Sequence, residues 1–185
     1  MTNVVVVYHS GFGHTKAVAE AVVRGASEVA GTTVAMIPVE DYATRAAEFD
    51  AADAIIFGAP TYMGSASAQF KTFMDATGKV WYQQLWKDKL AAGFTCSASQ
   101  NGDKLNTLQQ LSIFAMQHSM LWVSLGLLPG NNHSKGSVAD LNRLGSFLGA
   151  MAQANNDQGA EGIAASDLDT AAHLGRRVAG LAAKL

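Results

Sequence analysis

Residues Val4 to Tyr8 read Val-Val-Val-Val-Tyr, a short apolar run with no polar alternation. A strand of that kind is covered on both faces, so helices must lie above and below the sheet that contains it. Directly after it come His9-Ser10-Gly11-Phe12-Gly13-His14-Thr15, and then a helical pattern from Lys16 to about Val29. A strand feeding a Gly- and hydroxyl-rich turn that opens a helix is an arrangement suited to phosphate. The glycines let the backbone turn tightly, and the first-turn N–H groups have no intrahelical partner. Ser10 and Thr15 add hydroxyls at the same point. The loop contains no Arg, and its only neighbouring Lys is Lys16. An anion there would be held by N–H groups and hydroxyls, with a helix dipole worth about 0.3–1 kcal/mol. The same residues also fit a plain tight connection with Ser10 or Thr15 as N-cap. Neither the Gly-x-Gly-x-x-Gly order of a dinucleotide fold nor the Gly-Lys-Ser/Thr ending of a nucleotide triphosphatase is present.

Further along, the same alternation repeats. In the first helix, Val18, Ala21, Val22, Gly25 and Val29 fall on one face, with Lys16, Glu20, Arg24 and Glu28 on the other. Strands are expected at Thr33–Val39, Asp53–Gly58, Leu90–Cys96 and Met120–Leu125. Between them the pattern predicts one weak helix within 40–52, a loop over 60–67, and helices over Ala68–Ala76 and Lys104–His118. The segment from Gly126 to about Ser166 is rich in Gly, Asn and Ser, with a short helix expected over Val138–Leu148. A final helix runs from Asp167 to Lys184, acidic at its start and basic toward its end, as the dipole favours. This is the pattern of an open, doubly wound, five-stranded parallel α/β sheet, strand order 2-1-3-4-5, in a single domain over 1–185. Structureless segments as long as 126–166 are usually functional or carry subunit contacts.

Charge and composition exclude several classes. The formal net charge is −2 and charged residues make up only 15% of the chain, so nothing points to nucleic acid or an anionic membrane. The longest apolar run, Met120–Leu128, is far too short to span a bilayer. One cysteine, Cys96, allows no internal disulfide, and no basic segment precedes an apolar one at the N-terminus. The expectation is a cytoplasmic protein. No His-Glu-x-x-His, Cys-x-x-Cys or paired carboxylates suggest a metal.

In such sheets ligands bind beyond the carboxyl ends of the strands. There the sequence places Ser10 to Thr15, Gly58 to Gly64 and Cys96 to Gly102, and Gln117-His118-Ser119 precede the fifth strand. None of these segments carries Asp, Glu, Lys or Arg. Such a lining suits a flat, aromatic, hydrogen-bonding ligand with one phosphate. Phe12, Tyr62, Met63 and Trp81 could cover its face.

The chain resembles the WrbA group of flavodoxin-like NAD(P)H:quinone oxidoreductases. The resemblance rests on Tyr8-His9-Ser10-x-Phe12-Gly13-His14, on Ile55 to Thr61 with Gly64, and on Gln69-x-Lys71-Thr72-Phe73-Met74-Asp75-x-Thr77-Gly78 with Trp81. It continues through Phe94 to Gly102, His118-Ser119-Met120 and Gly175 to Leu185. It implies FMN as cofactor, NADH or NADPH as co-substrate, a quinone as acceptor, and a homo-tetramer or dimer. By that resemblance Ser10, Gly11, Phe12, Gly13, His14 and Thr15 hold the flavin phosphate. Thr61, Tyr62 and Met63, in the loop with Pro60 and Gly64, contact the ring. Cys96, Ser97, Ala98, Ser99, Gln100 and Asn101 contact the ring edge and ribityl chain. Gln117 and His118 stand where the family has two histidines, the first approaching the flavin; Gln117 cannot titrate as that histidine does. Trp81 would line the quinone or nicotinamide pocket, and Phe12 would touch the nicotinamide nucleotide. The chain departs from the family pattern at Tyr62, where an Arg is usual, at Met63, where an aromatic is frequent, and in the fourth loop, which is less Gly-rich.

The resulting expectation is two-electron transfer from NAD(P)H to quinones by a ping-pong mechanism, with no obligatory catalytic side chain. A flavodoxin-type electron carrier and an FMN-binding interaction protein without efficient turnover are the alternatives. Plain structural roles are expected for Cys96 and Trp86 and Trp122, and Asp75 is expected to bind the backbone of a neighbouring loop. His118 fits either a helix cap or the site. His9, His133 and His173 have no supporting pattern.

Overall fold

Val4, Val6 and Tyr8 face one apolar core, and Val5 and Val7 face another. That is why the first strand is apolar at every position: it separates two cores rather than bounding one. In a computed structural model, which describes residues 1–185, this strand is β1 (Thr2–Tyr8). It lies between β2 (Thr32–Pro38) and β3 (Ala54–Tyr62), with β5 (Leu90–Ser97) beyond, all parallel. The order β2-β1-β3-β5-β6, with β6 at Leu121–Trp122, matches the expected doubly wound sheet. A two-residue strand β4 (Ser65–Ala66) folds back antiparallel onto the end of β3.

One face of the sheet is covered by α1 (His14–Ser27) and α6 (Ala165–Ala182), the other by α2 (Tyr42–Ala51), α3 (Ala68–Ala76) and α5 (Lys104–Gln117). A short helix α4 (Gly78–Tyr82) follows α3. No helix is long and apolar enough to cross a membrane. The second core centres on Trp86, fully buried, which stacks on Phe49 at 5.8 Å and donates its indole N–H to Asp50. Trp122 lies at the sheet edge with its indole N–H on the Leu148 carbonyl. The structural roles expected for both tryptophans hold. Asp75 instead pairs with Lys71 one helical turn earlier, because the exposed face of α3 brings i and i+4 together.

The expected fifth strand, Met120–Leu125, is shorter and split. Leu121 and Trp122 pair with the first residues of β5, whereas its last four pair with β7 (Ala150–Gln153). Between the halves, residues 123–149 leave the sheet and return, with Leu125 N–H donating to the Phe147 carbonyl. The helix expected over Val138–Leu148 does not form. The buried Asn142, at φ 52°, spends its side-chain amide on the Ser146 carbonyl and accepts the Ser146 N–H. With Gly145 also left-handed, the segment closes as successive turns. Arg143 fastens it to α6 through a bidentate pair with buried Asp167, at 2.8 and 2.7 Å.

Helices α1 and α6 cross with glycine facing backbone. A Cβ on Gly175 would sit 2.0 Å from the Val22 carbonyl oxygen, and one on Gly25 would sit 1.8 Å from that of Ala172. Gly175→Ala must push the two helices apart. The expected result is a loss of about 1–3 kcal/mol in urea unfolding, since overpacking costs that much in a tight core.

Candidate active site

The carboxyl ends of β1, β3, β5 and β7 meet at one rim, and a cavity of about 450 Å³ opens there. In the β1–α1 loop, Gly13 adopts φ 90°, which reverses the chain into α1. The N-cap of α1 is Gly13 rather than the expected Ser10 or Thr15, but Ser10 Oγ reaches over from three residues upstream and accepts the N–H groups of Gly13 and Lys16, both at 3.1 Å. It leaves other donors free: the N–H groups of Ser10, Phe12, His14 and Thr15 have no partner within the chain. Thr15 is buried, and its hydroxyl, also without an internal partner, borders the cavity. The loop therefore has the two features a phosphate needs, converging N–H donors and a helix N-terminus.

Tyr62, at the end of β3, lies over this loop. Its hydroxyl lies against Gly11 and would be only 2.7 Å from a Cβ there, so a larger residue must push the Tyr62 side chain aside. Burial pushes its phenol above the ordinary range. Phe12 meets Tyr62 edge to face at 6.2 Å and remains 79% exposed. Thr61 turns inward instead, where its hydroxyl bonds those of Thr95 and Thr107 at 2.8 and 2.7 Å. Thr61 still borders the cavity. Met63 and Gly64, at φ 48° and 80°, form the turn into β4, and the Met63 side chain is fully exposed.

From β5 come Cys96, Ser97 and Ala98. Cys96 is buried, and burial pushes its thiol up to about 12, so it lines the wall as a small apolar group. Ser99, Gln100 and Asn101 follow in the chain but do not line this cavity; Gln100 and Asn101 border an open depression against the 123–149 segment instead. The remaining wall was not anticipated from sequence. Ala154, Asn156 and Gln158, after β7, complete the cavity. His14 Nε2 donates to the Gln158 carbonyl at 2.8 Å and so ties this strap to the first loop. Gln153 Nε2 ties it to the Ala98 carbonyl. The available signal was the unusual length of the Gly/Asn/Ser-rich segment, but short, Ala-rich β7 carries little strand pattern.

Gln117, His118 and Trp81 are not brought to this rim. Leu121 pairs with Leu90, the first residue of β5, and the Ser119 carbonyl accepts the Asp88 N–H, so this segment sits at the amino-terminal end of the sheet. The physical reason is that residues preceding a parallel strand lie at the edge opposite those following it. His118 is buried 4.5 Å from the Trp86 ring and bonds Thr77 Oγ1 through Nε2 at 2.9 Å. Thr77 also receives the Trp81 N–H on its carbonyl, which places Trp81 at the same end. His9, for which no role was expected, bonds Ser67 Oγ at 2.8 Å through Nδ1 beneath the first loop.

Residues 4–135, more than half of the chain, match the model of the family described as NADPH-dependent FMN reductase. The chain belongs to this FMN reductase family. Along its whole length it is 46% identical to a protein of Pseudomonas aeruginosa named Flavodoxin FldP, covering 99% of that protein. It is equally 46% identical to a flavodoxin, WrbA-like protein from Agrobacterium tumefaciens of known crystal structure, covering 99% of that chain with a TM-score of 0.77. An archaeal flavodoxin at 19% identity and TM-score 0.66, covered to 99%, shares the fold. FMN is thus the ligand class of the family, and the donor set around the β1–α1 loop fits its phosphate.

The misplaced histidine has a measurable signature. Burial pushes His118 down to about 4. An unfolded His takes its proton near 6.5, so the unfolded state binds more protons between that pH and 4. Stability contributed by neutral His118 is therefore complete above about 6.5 and falls as pH drops toward 4. NMR titration should find the His118 ring neutral at pH 5.5, and a ring mostly protonated at that pH would contradict its burial.

Proposed function

We propose that the chain is an FMN-dependent oxidoreductase that passes two electrons from NADH or NADPH to a quinone. The observation that carries this is the uncharged rim, with free N–H donors in the β1–α1 loop beside a β5–α5 loop that holds no aromatic residue. Ser10 shapes the phosphate loop, while the N–H groups of Phe12, His14 and Thr15 and the Thr15 hydroxyl would receive the phosphate. The strap from Ala154 to Gln158 covers the side between phosphate and ribityl chain. Tyr62 offers one aromatic surface, and the Ser97–Asn101 loop leaves the other side open for a stacked substrate.

FMN, when bound, would supply the redox chemistry, a two-electron exchange between nicotinamide and quinone. The chain orients both substrates over one open face, so they bind in turn. No carboxylate or cationic side chain lines the cavity, and the His14 Nε2–H is already committed to the Gln158 carbonyl. The second proton of the quinol therefore comes from solvent, for which the cavity is open. Exposed Trp81 and Tyr82 lie at the far end of the sheet. If Trp81 lines the quinone pocket as the resemblance implies, a second copy has to bring it to the rim, and a dimer or tetramer is then the working form.

The 46% identity to a protein named Flavodoxin favours a second reading, a one-electron carrier. A formal net charge of −2 gives little field for steering toward a cationic redox partner. In an anaerobic titration of the FMN-loaded protein, NADH should bleach the flavin absorbance and benzoquinone should restore it. Flavin that stays oxidised under NADH yet is bleached by dithionite would establish the carrier instead. Thr15→Ala should weaken FMN by about tenfold, the value of one hydrogen bond to a charged group, and dilution to monomer should abolish quinone reduction.

A further inference from the structure

Lys104 is the first residue of α5 and has no exposed surface. Both facts work against stability. A cation at a helix N-terminus opposes the helix dipole, and a buried ammonium loses its hydration. Asp103 before it adopts φ 54°, and Gly102 φ 56°, so the backbone is left-handed at two successive residues. A Cβ on Gly102 would lie 2.1 Å from Ser97 Oγ. Glycine takes that conformation freely and Asp at a small cost, so the turn needs a local hold rather than a rigid one.

The holding group is the ammonium. Its Nζ lies 2.8 Å from Ser97 Oγ, 2.6 Å from the Ser99 carbonyl, 3.0 Å from that of Gln100 and 3.2 Å from that of Asn101. These three consecutive carbonyls therefore point into the protein. In a trans peptide the next N–H points the opposite way, and the chain has no cis bond. The N–H groups of Gln100, Asn101 and Gly102 consequently face outward. None of them, nor those of Ala98 and Ser99, has a partner within the chain. The loop is a row of unspent donors with a positive charge sealed behind it.

We propose that Lys104 is a positioning residue for the flavin ring, holding the Ala98–Gly102 amides toward the ring's oxygen- and nitrogen-bearing pyrimidine edge and placing one positive charge behind that edge. This rests on the FMN reading above. When a hydride enters the oxidised ring, the added negative charge collects at that edge, and donors backed by a cation favour it. Lys104 thus tunes the ring toward accepting two electrons. Nearby charged or titratable groups are Cys96 on β5, a neutral thiol, and the mutually paired Asp167 on α6 and Arg143 from the 123–149 segment.

A buried amine is also a proton-dependent clamp. Burial pushes Lys104 down to about 8. Above that pH a neutral amine has two N–H donors for four oxygens, and the loop carbonyls are no longer all held. FMN affinity should be constant from pH 6.5 to 7.5 and fall above about 8.

The test compares wild type with Lys104→Met by FMN titration, by the two-electron midpoint potential of the bound flavin, and by binding of inorganic phosphate alone. The expected result is FMN bound about tenfold more weakly, the cost of losing charge-assisted bonds, a more negative potential, and unchanged phosphate binding. A lysine that only stabilised the fold would leave the potential of whatever flavin still bound unchanged, and that outcome overturns the proposal. Should Lys104→Met fail to fold, the wild-type pH profile of FMN affinity decides: affinity falling through about pH 8 supports it, and affinity unchanged to pH 9.5 refutes it. Wild type that binds no FMN at all removes the cofactor reading, a result distinct from a wild type that binds while Lys104→Met behaves identically.

Discussion

Parallel strands end with polar backbone exposed at one edge, and everything distinctive about this protein is built from those unspent groups. The β1–α1 loop presents N–H donors because a helix has no partners for its first turn. The β5–α5 loop presents them because its carbonyls are turned inward onto Lys104. Neither loop uses an exposed cation. The site is thus a pair of oriented peptide surfaces, and its electrostatics come from dipoles and one buried charge rather than from salt bridges.

The sheet below makes this possible. β1 and β3 divide two cores, with Val4, Val6, Ala54 and Ile56 on one side and Val5, Val7, Ile55 and Phe57 on the other. Burial of both faces fixes the register and leaves the strand ends as rigid posts. The 123–149 segment interrupts the fifth position and returns as β7, so the strap from Ala154 to Gln158 leaves the rim beside β5. An insertion inside one strand thereby adds a wall to the site without disturbing the others.

Much of this was legible from sequence because continuous apolar runs and the Ser-Gly-Phe-Gly-His-Thr loop have direct physical meanings. Ser10, Phe12, His14, Thr15, Pro60, Thr61, Tyr62, Cys96, Ser97 and Ala98 do line one cavity. Asn156 and Gln158 escaped notice because Ala150–Gln153 is too short and too small in its side chains to read as a strand. Lys104 escaped because a lysine opening a helix reads as a solvated end. Gln117, His118 and Trp81 were expected at the site both from their place in the chain and by resemblance, but within one chain the direction of the strands carries them to the opposite edge. Propensity and pattern locate elements, whereas burial against the local rule, as at Lys104, is visible only in three dimensions.

The central claim is that peptide N–H groups and hydroxyls, rather than cations, seat the cofactor's phosphate on the β1–α1 loop. Calorimetric titration of the apoprotein with FMN and with riboflavin at two ionic strengths tests it most directly. The account predicts FMN bound at least about a hundredfold more tightly, two charge-assisted hydrogen bonds' worth, with little change between low and high salt. Equal affinity for the two flavins would contradict it.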